Sequence, residues 1–205
     1  MANIVTPVSM DAGTVVIDEG EDADHLFNVT RGAIRVYKLL PDGRRQVTGF
    51  LFPGDFLGLS NAGHDTYAYS AEALVESDLC RFPREKLEVV IEENTNLEKR
   101  LLRMAANELA VAQDQMVLLG RKTARERVAS FFLSLSERAV KRGQAANPIS
   151  VPMSRTDIAD YLGLTTETVS RTITQLKTEN LIKLLNGNKI ELCNLDALED
   201  LAMGG

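Results

Sequence analysis

The sequence predicts an α+β chain with an N-terminal antiparallel β-roll, one long helix and a C-terminal helical unit carrying a β-hairpin. Three observations predict it. Short apolar stretches cut by glycine turns run from Met10 to about Phe82. Leu97 to Leu119 contains no Pro or Gly and carries a ladder of apolar residues at helical spacing. Two short amphipathic segments then meet at Gly163 and are followed by an AsnGly turn between apolar runs.

At 205 residues the chain suits two modest domains, and 44% hydrophobic with 25% charged residues is ordinary for a globular protein. Cys80 and Cys193 are far apart and lack CxxC or Cys/His spacing, which predicts no disulfide framework and fits a reducing cytoplasm. No apolar run approaches the roughly 20 residues that a membrane span needs. The opening MANIVTPVS lacks the charged-then-apolar pattern of a signal peptide. A cytoplasmic protein without membrane contact is expected.

The net charge of −6 argues at first against a nucleic-acid partner. The charge is uneven, however. Residues 1–120 carry 11 Lys and Arg against 19 Asp and Glu, whereas residues 121–190 carry 12 against 6. Phosphate binding follows the local field rather than the sum over the chain.

Taken in order, ThrValValIle at 14–17, PheAsnVal at 27–29, IleArgValTyr at 34–37 and ValThrGlyPheLeu at 47–51 read as strands. ProAspGly at 41–43 and ProGlyAsp at 53–55 are turns, because Pro presets the first central φ and Gly accepts a positive one. The expected product is a cupin-like jelly roll. LysLeuGluValValIle at 86–91 predicts a short helix, and AsnThrAsn at 94–96 offers caps for the next. In that next helix Leu97, Leu101, Met104, Val111 and Leu118 form a ladder, with Glu108 and Gln115 as polar interruptions. A helix docked on its own domain would show such a ladder. A two-chain coiled coil fits its six uncapped turns better, and a polar core position there would fix register. Gly120 is the expected end and hinge. Thr123 to about Val140 predicts another amphipathic helix with Val128, Phe131, Phe132 and Leu135 inward. The resulting division is 1–95 for the roll, 96–120 for the dimerisation helix and hinge, and 121–205 for the C-terminal unit.

Residues 152–176 hold the informative pattern. Ser154 with Asp157 three residues on is a carboxylate variant of the capping box. A short helix burying Ile158, Ala159 and Leu162 then reaches Gly163, where a tight turn needs backbone freedom. Thr165 caps a second helix that buries Val169, Ile173 and Leu176. This is a helix-turn-helix arrangement. Two helices meeting at a glycine also occur in proteins with no DNA role, so the pattern alone does not decide. Residues 181–192, LeuIleLysLeuLeuAsnGlyAsnLysIleGluLeu, supply the hairpin that makes it a winged helix. Thr166, Glu167, Ser170 and Arg171 are left exposed at the start of the second helix, where base edges of double-stranded DNA come within reach. Arg171 would donate two hydrogen bonds to guanine, Glu167 would accept from a base amino group, and Ser170 would touch a thymine or its neighbour. Arg155, Lys177, Lys183 and Lys189 are candidates for phosphates.

From Met10 onward the chain resembles the CRP/FNR family of transcription regulators. GlyAspPheLeuGly at 54–58, TyrSerAlaGluAla at 69–73 and LeuLeuGlyArgLysThrAlaArgGluArgValAla at 118–129 are most similar to the FNR/FixK branch. The order of Glu167, Ser170 and Arg171 matches the FNR-type reading set. The resemblance implies a homodimer on a TTGAT–ATCAA palindrome that recruits or obstructs RNA polymerase.

Two departures stand out. Relatives that bind cyclic nucleotides hold the phosphate with an Arg that residues 56–73 lack; Ser60, Asn61, Thr66 and Ser70 offer donors, but Asp65 and Glu72 add repulsion. cAMP dependence is therefore not expected. Oxygen-sensing relatives hold a [4Fe–4S] cluster with three N-terminal Cys and a fourth in the roll. Cys80 resembles that fourth position, but no Cys precedes it and one thiolate cannot hold a cluster. Cys80 is read as a small buried core residue. His25 and His64 have no partners spaced for a metal, so no metal or other cofactor is expected. An enzyme is not expected either, since no nucleophile–base or acid pair appears. The alternative is a small-molecule or redox sensor whose roll gates the DNA-binding unit.

Overall fold

The computed structural model describes residues 5–59 and 65–204. Ser60, Asn61 and His64, which entered the argument above, lie outside the described residues. The chain divides into two compact units between Gln113 and Asp114. The division falls inside the long helix.

The first unit contains strands β1 (Thr6–Met10), β2 (Val15–Ile17), β3 (His25–Arg31), β4 (Ile34–Leu39), β5 (Arg45–Leu51), β6 (Phe56–Leu57), β7 (Ser70–Ala73) and β8 (Ser77–Pro83). They build two four-stranded antiparallel sheets, β1-β8-β3-β6 and β2-β7-β4-β5. Period-two alternation fills the space between them. Ile34 and Val36 of β4 point into a core shared with Phe27, Val29, Leu57, Ala71 and Leu79. Arg35, between them, faces the other way and meets Glu72 of β7 at 2.6 Å. The expected jelly roll is present, and β1 adds a strand before Met10 that the sequence reading did not include.

The same alternation corrects the reading of Cys80. Leu79 is buried in the core, so its neighbour Cys80 faces outward and is half-buried, opposite Asn28 of β3 and Pro7 of β1. It is not a core residue. His25 is half-buried in β3, and its carbonyl accepts a hydrogen bond from the Tyr67 hydroxyl at 2.7 Å.

Helix α1 (Arg84–Glu92) leads to α2 (Thr95–Arg121). Asn94 caps α2, its side-chain oxygen accepting from the Asn96 and Leu97 amides, both at 3.1 Å. Gly120 does not end this helix, which runs on to Arg121. The break comes at Lys122 because Thr123 starts the next helix with a full capping box to Glu126.

The second unit holds α3 (Ala124–Lys141), β9 (Ile149–Ser150), α4 (Arg155–Leu162), α5 (Thr166–Thr178), β10 (Ile182–Leu185), β11 (Lys189–Leu192) and α6 (Leu195–Met203). Val128, Phe131, Phe132 and Leu135 of α3 are buried, as are Ile158, Leu162, Ile173, Leu176 and Leu198 on its neighbours. Each such side chain contributes roughly 1.5–3 kcal/mol by leaving water. The wing is a three-stranded sheet, β10-β11-β9, in which Ile149 of β9 pairs with Ile190.

Candidate nucleic-acid interface

The site is built from the cap at Ser154 upward. The Ser154 amide donates to Asp157 Oδ2 at 2.9 Å, and the Asp157 amide donates back to Ser154 Oγ at 3.0 Å. Asp157 is 2% exposed, so a short carboxylate both satisfies the first turn of α4 and sits favourably at its positive end. Helix α4 ends at Gly163, with φ 61° and ψ 42°. A side chain there would be strained by that φ. Its Cβ would also stand 3.3 Å from Leu119 Cδ2. The chain turns, the Leu164 amide closing on the Ala159 carbonyl at 3.0 Å. Thr165 then caps α5, accepting from the Thr168 amide at 3.2 Å.

Val169, Thr172, Ile173 and Leu176 form the buried face of α5. Glu167, Ser170, Arg171, Thr174 and Lys177 are exposed on the other. Thr166, expected to be exposed with them, is half-buried, because it opens the helix beside the packed turn. Thr174 is less available than its exposure suggests, since its hydroxyl donates to the Ser170 carbonyl at 2.9 Å. Among the described residues, the side chains of Glu167, Ser170 and Arg171 make no hydrogen bond or ion pair within the chain. They occupy one face at the positive end of a 13-residue helix.

The cations around this face differ. Arg155 is half-buried in the first turn of α4, and burial pulls its pKa below the ordinary guanidinium value. Lys177 is exposed in the last turn of α5. On the wing, Lys183 lies 3.9 Å from Glu191 across the β10–β11 register, while Lys189 is exposed beside the turn. That turn holds Gly187 and Asn188 at φ 71° and 55°, the left-handed conformations that an AsnGlyAsn sequence accommodates.

Two residues that the sequence reading gave no such place bind the turn from behind. Arg127 of α3 donates to the Leu119, Lys122 and Leu162 carbonyls at 2.9, 2.9 and 2.8 Å. Gln115 of α2 donates to the Tyr161 carbonyl at 2.9 Å. The sequence pattern makes Gln115 a polar interruption of the ladder, and in the structure its side chain bonds within its own chain. A signal for Arg127 was available: a cation near the start of its own helix sits against the helix dipole, so its partners must lie on other elements.

The residues of the expected dimer ladder differ in exposure. Leu97, Leu101 and Met104 are half-buried and line a cleft of about 210 Å³ with Asn28, Gly54, Phe56 and Arg100. They turn toward the chain's own roll. Val111 is exposed and Leu118 half-buried. A second apolar stripe, one residue displaced, is open to solvent: Leu102, Leu109 and Met116, at 70%, 62% and 71% exposure. No residue of α2 is fully buried.

Comparison with known proteins agrees with this geometry. Residues 126–201 match the Crp-like helix-turn-helix domain and residues 7–94 the cyclic nucleotide-binding domain. The chain is 44% identical over 195 residues to the nitrogen fixation regulation protein FixK of Bradyrhizobium diazoefficiens, covering 95% of this chain and 81% of that one. It is 44% identical over 170 residues to the transcriptional activatory protein AadR of Rhodopseudomonas palustris, covering 83% and 70%. The solved structure of FixK2 from Bradyrhizobium japonicum superposes with a TM-score of 0.89 at 39% identity, over 97% of both chains.

Proposed function

Because the chain belongs to the CRP/FNR family, beside FixK-type regulators, we propose that it is a sequence-specific transcription activator that binds DNA as a homodimer. The observation that carries this reading is the open face of α5, where Glu167, Ser170 and Arg171 are exposed and stand without partners among the described residues. Groups that need hydrogen-bond partners and have none in the protein are available to base edges. Arg171 would take guanine O6 and N7, Glu167 a base amino group, and Ser170 a thymine or its neighbour. Thr166, Arg155, Lys177, Lys183 and Lys189 would hold the backbone and set register without reading sequence. The target is a TTGAT–ATCAA-like palindrome, each half read by one copy. RNA polymerase is the partner an activator would engage, and the cytoplasm is where it would do so; no described helix is long and apolar enough to cross a membrane.

The binding is proposed to need no cyclic nucleotide. Residues 56–73 contain no Lys or Arg, and two cations that reach this stretch are already engaged. Arg35 bonds Glu72, and Arg84 donates to the Ala23 and Gly58 carbonyls at 2.6 and 3.1 Å. A cyclic phosphate held without a cation would be poorly stabilised. A sensor reading is favoured by one observation, the cleft bounded by Asn28, Phe56 and Arg100. A titration of purified protein against the labelled palindrome and a scrambled duplex separates these. Tight, selective binding without additives is the expected result. Binding that appears only with cAMP, or only after anaerobic iron reconstitution, overturns ligand independence; equal binding to both duplexes overturns sequence reading.

A further inference from the structure

We infer that Arg127 and Gln115 are positioning residues for DNA recognition, fastening the helix-turn-helix to the end of α2 so that the chain selects the spacing between half-sites. The inference rests on the proposed reading of a dimer on a palindrome. Arg127 stands in the second turn of α3, where its own helix dipole gives it nothing. Its guanidinium is instead divided among carbonyls at the C-terminal ends of two other helices, with a longer bond to the Gly163 carbonyl at 3.5 Å. Nη2 and Nε take Leu119 and Lys122 at and just beyond the end of α2, and Nη1 takes Leu162 at the end of α4. Last-turn carbonyls have no partner in their own helix and carry the negative end of the dipole, so a planar cation with several donors suits the junction. Gln115 adds a second tie one turn earlier, from α2 to the Tyr161 carbonyl, adjacent to Leu162. Both consecutive carbonyls at the end of α4 are thereby held by side chains that also fix the last turns of α2.

The consequence follows from what comes next in the chain. Gly163 packs against Leu119 and its Cβ position lies 3.5 Å from Arg127 Nη1, and α5 begins three residues later. A shift of the α4 end relative to residues 114–121 of α2 moves the start of α5, where the base-reading groups are. In a dimer joined through α2, the separation of the two reading helices is set across this junction. Recognition of one half-site needs only an intact α4–α5 pair. Recognition of two half-sites at one spacing needs the pair held rigidly to α2.

The test uses full-length protein, with wild type, Arg127→Ala, Arg127→Lys and Gln115→Ala titrated on four duplexes. These carry a single half-site, the palindrome at its preferred spacing, and the palindrome with one base pair inserted or removed. For Arg127→Ala the expected result is roughly tenfold weaker binding to the palindrome, with less than about threefold change on the half-site, as charge-assisted bonds are lost from the junction but not from the reading face. The penalty for altered spacing shrinks in parallel. Arg127→Lys keeps the charge without the fork and falls between. Gln115→Ala removes one bond from a half-exposed side chain and shows the same trend more weakly, which carries the test if Arg127→Ala does not fold. Variants that keep the wild-type spacing penalty, or lose half-site and palindrome binding equally, overturn the inference. A wild type that binds the half-site and palindrome alike overturns the dimer reading itself, and is distinguished by being seen before any substitution.

Discussion

Arg171 shows what a single residue can and cannot disclose. Its place in the second helix of the pair was readable because the buried positions Val169, Ile173 and Leu176 fix the helical phase, which leaves 167, 170 and 171 outward. Truncating it to Ala should cost roughly 1–3 kcal/mol on the specific palindrome and relax preference at one G·C pair in each half-site. Competition titrations on duplexes substituted at each position would show this. Equal losses on specific and scrambled DNA would make it a phosphate contact instead. Thr166 was misjudged from the same pattern, since helical phase says nothing of the turn packed beside a first helical residue. Cys80 was misjudged because composition favours burial for cysteine, while strand alternation beside Leu79 decides otherwise. Arg127 was legible only as an oddity of position. Its four acceptors lie 5, 8, 35 and 36 residues away in sequence, and no local pattern names the distant ones.

Elements whose signals are local were read well, and those defined by distant pairing were not. Helices α3, α4 and α5 carry their own caps and apolar stripes, so their limits fall within a residue or two of those expected. Strand β9 is two residues long and exists through its pairing with β11, which no periodicity reveals. Helix α2 lies between these cases. Its extent was plain, but it carries two apolar stripes one residue apart, about 100° around the axis. The sequence cannot say which meets the roll and which is left open. Leu102, Leu109 and Met116 are spaced by heptads with the small residues Ala105 and Ala112 between them, all exposed. A left-handed pairing of two copies would bury this stripe. Replacing Leu102 and Leu109 together with Glu should therefore yield monomers that retain the fold and lose the palindrome. Sedimentation velocity reads the first effect and circular dichroism controls for the second. A dimer that survives the double substitution would remove this stripe from the interface.

On the scale of the whole chain, charge is where composition misleads and distribution instructs. A protein of net charge −6 would be expected to avoid a polyanion, yet residues 121–190 hold twice as many basic as acidic groups. Phosphates respond to the field close to them, since opposite charges more than about 10 Å away are largely screened at ordinary salt. Four side chains per copy are proposed to meet phosphates: Arg155, Lys177, Lys183 and Lys189. If each neutralises one phosphate in a dimer, about eight counterions are displaced, and log K should fall against log salt with a slope near −7. Affinity would then drop by about four orders of magnitude between 50 and 200 mM salt, on specific and non-specific duplexes alike. Substituting Lys183 and Lys189 together with Gln removes four of those contacts and should make the slope shallower by 3 to 4, roughly. Base preference would be unchanged, because α5 is untouched. Lys183 lies within 3.9 Å of Glu191, so its share is the smaller of the two wing lysines. Filter binding across a salt series, with the palindrome and a scrambled duplex side by side, measures both quantities. A slope unchanged in the double variant would take the wing off the DNA. A changed base preference would place it among the reading elements.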